Sequence, residues 1–193
     1  METRVIGITG GIGSGKSLIS HIFSVLGIPV YVADDRAKWL IENDPVLRNS
    51  LTALLGEEAY LPSGAYNRTW VASRVFDNPG LLDQVNALVH PRVQQDGHDW
   101  TEQHAGAPYL LYEAAIMKRG RFHRIIVVEA PEELRIRRVR KRDNRTEEAI
   151  RAIIARQATP GERSQLADFV IHNDDHQPVL RQVLDLNAVL RQG

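Results

Sequence analysis

The chain has 193 residues, of which 43% are hydrophobic and 25% are charged, and its acidic and basic side chains balance to a formal net charge of zero. This composition is typical of one globular domain with a sizeable core, and the neutral charge gives no reason to expect nucleic-acid or membrane binding. The lack of cysteine excludes disulfides, thiolate catalysis and zinc–thiolate sites. We find neither a run of roughly 20 apolar residues nor a signal-peptide pattern, and we therefore expect a cytoplasmic protein, either a monomer or a small homo-oligomer.

A glycine-rich loop follows the first predicted strand. The apolar residues 5–8 predict a buried strand, and hydrophobic residues at helical spacing over 18–26 predict a helix. Between them, residues 10–17 read Gly-Gly-Ile-Gly-Ser-Gly-Lys-Ser, which matches the phosphate-binding pattern G-x-x-x-x-G-K-[ST]. The glycines let backbone N–H groups approach phosphate oxygens, and the helix directs its positive N-terminal end at the same anion. A glycine-rich turn that binds nothing is the alternative, and the flanking strand and helix disfavour it.

Two side chains of this loop have defined roles in such a pattern. Lys16 can reach the β- and γ-phosphates of a nucleotide, and the Ser17 hydroxyl can ligate Mg²⁺. We therefore expect a nucleoside triphosphate as co-substrate and Mg²⁺ as cofactor. The predicted ATP-binding residues of the loop are Gly11, Ile12, Gly13, Ser14, Gly15, Lys16, Ser17 and Leu18.

A carboxylate follows the second predicted strand, which covers residues 30–33. Asp34 stands at the carboxyl end of this strand, and ligands bind at that edge of open α/β sheets. There it can accept a proton from an attacking hydroxyl or hold Mg²⁺ through water. It can equally serve as the N-cap of the next helix, a role that suits Asp35 better. The residues alone leave the two readings of Asp34 open.

A helical region of about 45–106 separates the second and third strands. Its leucine and valine spacings are helical, and proline–glycine turns divide it. A block this long is more than a connection, and we expect a subdomain that covers an acceptor substrate. His90 precedes Pro91, which predicts a helix junction; it can contact substrate, although such a histidine is more often structural.

Charged residues also follow the third and fourth predicted strands, residues 109–112 and 125–128. Glu113 can help to organise Mg²⁺, although aspartate is the commoner choice. After the fourth strand, a basic helix carries Arg138 and Arg142 on one face, together with Arg135. We interpret it as a phosphate clamp that stabilises charge on a transferred phosphoryl group, because a nucleic-acid arm would interleave aromatic residues.

The last third of the chain predicts a lid and a final strand. The basic helix and a second polar helix are joined by a loop and predict a lid over about 140–165 that excludes water. Residues 167–171 predict the last strand, which leads to Asn173. That side chain can hydrogen-bond a nucleotide base, or it can be an ordinary turn residue. A terminal amphipathic helix then packs on the sheet.

Taken together, these segments closely resemble the dephospho-coenzyme A (dephospho-CoA) kinase family along the whole chain. The loop alone fits many enzymes, whereas the ordered set is specific. The family's fold is α/β, a three-layer P-loop NTPase fold with a parallel sheet, a helical acceptor-binding insertion and a small helical lid. The matching segments are residues 8–17, 32–34, Asn86 to Pro91 (Asn-x-Leu-x-His-Pro), Arg142-Asp143, 151–157 and Ala167 to Asn173.

The resemblance implies transfer of the γ-phosphoryl group of ATP to the ribose 3′-hydroxyl of dephospho-CoA. The family's catalytic aspartate falls on Asp34, which favours the catalytic reading of that residue. Its basic residue four positions later falls on Lys38. The site implied in this way has catalytic Asp34, Lys16, Arg138 and Arg142, further ATP contacts from Arg142 and Asn173, and acceptor contacts from Asp34, Lys38, His90 and Glu113.

Three positions depart from the family pattern. Val32 replaces the first aspartate of an Asp-Ala-Asp motif, so one carboxylate of that pair is missing. Leu18 replaces a threonine, which removes a hydroxyl but leaves the backbone N–H. Lys118 stands where the family has a glutamate, and Glu113 is the candidate to take over part of that role.

Two other functions compete with this interpretation. Another small-molecule kinase, such as a nucleoside or nucleotide kinase, would share the loop, lid and fold but differ in its acceptor pocket. A nucleotide-dependent switch protein is disfavoured: the D-x-x-G match at Asp77 follows a helical pattern instead of a strand, and no Asn-Lys-x-Asp element occurs in the sequence.

Overall fold

The computed structural model describes residues 3–76 and 78–192, so the D-x-x-G match that begins at Asp77 falls partly outside the described residues. The chain divides into two compact units. The sheet unit contains the chain up to Val32 and from Thr101 onward, and the helical unit is Ala33–Trp100. None of the described helices is both long enough and apolar enough to span a membrane.

A parallel sheet forms the centre of the sheet unit. Its strands are β1 Val5–Thr9, β2 Val30–Val32, β3 Leu110–Glu113, β4 Arg124–Glu129 and β5 Phe169–His172. Their order across the sheet is β2-β3-β1-β4-β5, and every neighbouring pair is parallel. All carboxyl ends therefore share one edge, and the strand order reverses at β1, where open α/β sheets bind ligands. The predicted α/β class with a parallel sheet is confirmed.

The helices follow the predicted order, with short additions. In chain order they are α1 Lys16–Val25, α2 Ala33–Asn43, α3 Pro45–Leu55, α4 Arg68–Phe76, α5 Pro79–Gln103, α6 Glu132–Asp143, α7 Glu147–Ala155, α8 Pro160–Leu166 and α9 Val179–Gln192, with a 3₁₀ turn at Glu57–Ala59.

The hydrophobic core of the sheet unit fixes α1 and α9 against the sheet. Apolar side chains of the strands meet those of both helices in one buried cluster, which includes Ile6, Ile8, Leu111, Ile126, Ile19, Phe23, Val183 and Leu190. Burial of such side chains contributes roughly 1.5–3 kcal/mol each relative to exposure. The strand–loop–helix segment that carries the glycine-rich loop is therefore anchored at both of its ends.

In the helical unit, α3 is held at its start by a buried carboxylate. Asp44 accepts hydrogen bonds from the backbone N–H groups of Val46 and Leu47 and lies 2.5 Å from a guanidinium nitrogen of Arg92 on α5. Burial acts to raise the pKa of Asp44, but the hydrogen bonds from Arg92 and from these N–H groups outweigh it and hold the pKa below its ordinary value.

The predicted helix junction at His90 is wrong. Helix α5 continues through His90 and Pro91, and His90 is exposed on it. A stripe of buried residues at a spacing of four runs along the helix on both sides of the proline, at Val85, Val89, Val93 and Gly97. Packing of this stripe outweighs the one backbone hydrogen bond that proline cannot donate.

Candidate active site

The glycine-rich loop has a backbone that only glycine accommodates well. Gly15 adopts the left-handed conformation directly before α1, with φ 95° and ψ 24°, and Gly13 has φ 77°. A Cβ atom at Gly13 would lie 2.6 Å from the backbone oxygen of Arg135, and one at Gly15 would collide with the amide of Asn173. Both the φ angles and the lack of space explain these glycines, and the helix start directly after Gly15 can receive an anion.

The structure brings Lys16, Ser17 and Glu113 to this loop. The Nζ atom of Lys16 donates to the backbone oxygen of Gly10 at 3.0 Å. The hydroxyl of Ser17 donates to Oε1 of Glu113 at 3.1 Å. Glu113 ends β3, where it stands beside Ile8 of β1 in the strand register.

A divalent cation fits the oxygen atoms of Ser17 and Glu113. Glu113 is only 5% exposed, and its Oε2 atom has no hydrogen-bond partner among the described residues. Burying a carboxylate oxygen without a hydrogen-bond partner costs free energy, and a bound cation would offset that cost. Within residues 3–76 and 78–192, no group of three or more acidic, histidine or cysteine side chains forms a cage for a metal. This arrangement suits Mg²⁺, which proteins often hold with one or two side chains plus substrate phosphates.

Arg138 and Asn173, which the sequence predicts as separate contacts, are joined to each other and to the loop. Arg138 donates to the backbone oxygen of Asn173 at 3.0 Å and to its Oδ1 at 3.2 Å, and pairs with Asp175 at 2.6 Å. The buried Asn173 donates in turn to the backbone oxygen of Ser14 at 2.8 Å. The guanidinium of Arg138 is therefore fixed relative to the loop.

A cleft of about 240 Å³ lies beside the loop, and the predicted clamp borders it. Arg142 is exposed and donates to Asp143 at 2.6 Å, a hydrogen bond that raises the pKa of Arg142. Leu18, which replaces the family's threonine, is 52% exposed. The lining residues are Gly13, Gly15, Lys16, Ser17, Leu18, Arg138, Val139 and Arg142.

Two further side chains contact the loop in a way that the sequence did not predict. Arg135 donates from Nε to the backbone oxygen of Ile12 at 2.9 Å, and Gln157 accepts from the Ile12 N–H at 2.9 Å. Burial, followed by the charge of Arg163, lowers the pKa of Arg135. The helical face shared with Arg138 was a signal for Arg135, and the family-like segment 151–157 contains Gln157 without indicating its contact with the loop.

Three of the four residues predicted for the acceptor, Asp34, Lys38 and His90, lie in the helical unit, whereas Glu113 ends β3 in the sheet unit. Asp34 stands in the first turn of α2, which begins at Ala33 directly after the last residue of β2, so it is not the residue that precedes the helix. Lys38 pairs with Asp35 at 2.7 Å. Asp34, Lys38 and His90 are all exposed.

Comparisons with known proteins agree on one family. The family model described as dephospho-CoA kinase matches residues 4–178. The chain is 40% identical over 191 residues to a dephospho-CoA kinase of Bacteroides fragilis, an alignment that covers 97% of this chain and 93% of the relative.

Solved structures agree in fold. A crystal structure from Thermus thermophilus has a TM-score of 0.84 at 30% identity, covering 100% of this chain and 98% of that one. The dephospho-CoA kinase of Campylobacter jejuni has a TM-score of 0.68 at 20% identity, with 99% of each chain covered, and supports the fold alone. With the family model and the B. fragilis relative, the conclusion is that this chain belongs to the dephospho-CoA kinase family.

Proposed function

We propose that this protein transfers the γ-phosphoryl group of ATP to the 3′-hydroxyl of the ribose of dephospho-CoA, the last step of CoA biosynthesis, in the cytoplasm. The observation that carries the proposal is the grouping of Lys16, Ser17 and Glu113 at the carboxyl ends of β1 and β3, in a chain of this family. In the reaction, the bond between the γ-phosphorus and the β,γ-bridging oxygen breaks, a bond to the 3′-oxygen forms, and ADP leaves.

The glycine-rich loop binds the triphosphate. The N-terminal end of α1 receives the phosphates, and Lys16 exchanges its hydrogen bond to Gly10 for a bond to the β- and γ-phosphate oxygens. Ser17 and Glu113 would hold Mg²⁺. When bound, this ion neutralises charge on the β- and γ-phosphates.

The clamp acts on the transferred group. Arg138 and Arg142 border the cleft beside the loop, so their guanidinium groups can stabilise the negative charge that spreads over the phosphoryl oxygens. Asn173 and Asp175 hold Arg138 in place, which lowers the cost of aligning it during the reaction.

Asp34 serves the acceptor. It accepts the proton of the 3′-hydroxyl, or orients that hydroxyl for attack, as the family motif implies. Its place supports this role, because it follows the carboxyl end of β2 by two residues. Lys38 and His90 contact the rest of the acceptor, and both are exposed side chains with the charge or hydrogen-bonding capacity for a phosphorylated substrate.

The test is an acceptor screen. Purified protein with Mg·ATP is incubated with dephospho-CoA, adenosine and other nucleosides in turn, and the products are identified by liquid chromatography and mass spectrometry. We expect CoA and ADP in equal amounts from dephospho-CoA, and no product from a Lys16→Met variant. Phosphorylation of a nucleoside without phosphorylation of dephospho-CoA would reject the proposal and favour the other kinase class.

A further inference from the structure

The backbone of Ile12, in the middle of the glycine-rich loop, is held on both of its polar atoms. Its N–H donates to Oε1 of Gln157 at 2.9 Å, and its carbonyl oxygen accepts from Nε of Arg135 at 2.9 Å. The two side chains also meet each other, since Nη2 of Arg135 lies 3.5 Å from the same Oε1 atom. One oxygen of Gln157 therefore serves both the loop and the arginine that supports it.

The side chain of Ile12 is held as well. It packs against a small hydrophobic cluster formed by Ile136 and Val139 of α6 and Ile150 of α7, and this cluster is separate from the main core of the sheet unit. Arg135 belongs to α6 and Gln157 follows α7 by two residues. Backbone and side-chain contacts thus attach the middle of the loop to one helix pair.

We infer that Gln157 and Arg135 are positioning residues, which hold the glycine-rich loop in the conformation that receives the triphosphate of ATP. The inference rests on the proposed function for the identity of the nucleotide. Neither side chain lines the cleft that contains Lys16 and Ser17, and Arg135 instead lines a second cavity beside Gly11 and Ser14. Both act through Ile12.

The physical reason is preorganisation. A phosphate-binding loop works because its backbone is already in the conformation that receives the anion, and the glycines on both sides of Ile12 give the chain many other conformations. Without an acceptor at position 157, the Ile12 N–H and one nitrogen of the buried Arg135 lose a hydrogen bond. These donors then form other hydrogen bonds, and the loop leaves its binding conformation for part of the time. Restoring that conformation costs free energy when ATP binds, so the apparent affinity for ATP falls.

Two substitutions of Gln157 separate the effect of its hydrogen-bond acceptor from the effect of its side-chain length. Gln157→Met keeps the length of the side chain but removes the acceptor. Gln157→Glu keeps the acceptor, and its charge strengthens the bond to Arg135. Gln95→Met is the matched control, because Gln95 is an exposed glutamine of α5 that bonds Asp99 instead of the loop.

The experiment measures the dissociation constant of Mg·ATP by calorimetry, amide hydrogen exchange in the peptide that contains Ile12, and the melting temperature. We expect Gln157→Met to weaken Mg·ATP binding by about tenfold and to speed exchange in that peptide. Gln157→Glu and Gln95→Met should both stay within about threefold of the unchanged protein, since each preserves the contacts of Ile12.

Two outcomes would overturn the inference: unchanged ATP affinity and exchange in Gln157→Met, or an equal loss in Gln157→Met and Gln157→Glu. A loss of affinity in Arg135→Met that Arg135→Lys partly restores would support it independently, because lysine retains a donor for the Ile12 oxygen. The readout is nucleotide binding, so a protein that binds Mg·ATP but does not phosphorylate dephospho-CoA would reject the proposed function and leave this test interpretable.

Discussion

The polar side chains next to the glycine-rich loop and the acceptor candidates of the helical unit differ in how the protein holds them. Glu113, Asn173 and Arg135 are buried, with exposed fractions of 5%, 6% and 4%, and each hydrogen-bonds to the loop. Asp34, Lys38 and His90 are exposed on helices of the other unit. The side chains beside the loop are therefore held in place by the protein itself, whereas the three exposed side chains face solvent.

This difference in burial predicts which substitutions affect catalysis alone and which also affect stability. Changing a residue near the loop should alter catalysis, and it should lower stability as well wherever a hydrogen bond of a buried group is lost. Changing an exposed residue of the acceptor side should alter catalysis alone. The predictions below test this separation, starting with the largest expected effect.

Asp34→Asn should reduce turnover by about 10²-fold or more, because the amide cannot accept the proton of the acceptor hydroxyl. The melting temperature should move by less than about 2 °C, since the side chain is exposed. The control is Asp83→Asn, which changes an exposed acid on a different helix, α5, and should leave turnover unchanged. Normal turnover in Asp34→Asn would remove Asp34 from the reaction.

Glu113→Gln should raise the Mg²⁺ concentration needed for half-maximal activity by about tenfold or more, as expected when a residue that supports a metal is lost. Its melting temperature should stay equal or rise, because the change replaces a buried carboxylate whose Oε2 has no hydrogen-bond partner among the described residues. A lower melting temperature with an unchanged Mg²⁺ requirement would instead assign Glu113 a purely structural role.

Asp44 is a buried residue of the helical unit, and we expect its contacts to affect the stability of the protein but not its turnover. Asp44→Asn keeps the capping hydrogen bonds but loses the ion pair with Arg92, and should cost about 1 kcal/mol of unfolding free energy; Asp44→Ala should cost about 1 kcal/mol more. Turnover should be unchanged in both variants. Denaturant titrations and initial-rate assays provide the measurements.

The stability that the ion pair between Asp44 and Arg92 contributes should decrease at low pH. The pKa of Asp44 in the folded protein is below the ordinary value of 3.8, so its contribution to stability is present above that value and is lost as the pH falls through the lowered pKa. The stability gap between the unchanged protein and Asp44→Asn should therefore narrow below about pH 4. A gap that stays constant down to pH 2 would contradict this role of the ion pair.

The sequence predicts the sheet well and the contacts around the site only in part. The strands and α1 follow from local patterns, and the loop motif identifies Lys16 and Ser17 without further information. Pro91 misled the prediction of a helix junction, because the buried stripe of α5 outweighs the local preference of proline. The 3₁₀ turn at Glu57–Ala59 and α8 at Pro160–Leu166 were not predicted, since short elements leave little periodicity.

The contacts of Arg135 and Gln157 lay beyond sequence reasoning for a different reason. Each joins the loop to a residue more than 120 positions away in the chain, at separations of 123 and 145 residues. No local pattern encodes such a pairing. The roles of Asp34, Lys38 and His90 stay predictions that rest on the family motif.

The position of the new phosphate on the acceptor is the strongest test of the proposed reaction. Formation of CoA is followed with Mg·ATP and dephospho-CoA, alongside the 3′-deoxy analogue of the acceptor. We predict stoichiometric CoA and ADP from dephospho-CoA, with the new phosphate on the 3′-oxygen, and no phosphorylated product from the analogue. Phosphorylation of the 3′-deoxy analogue, or ATP consumption without CoA, would contradict the account.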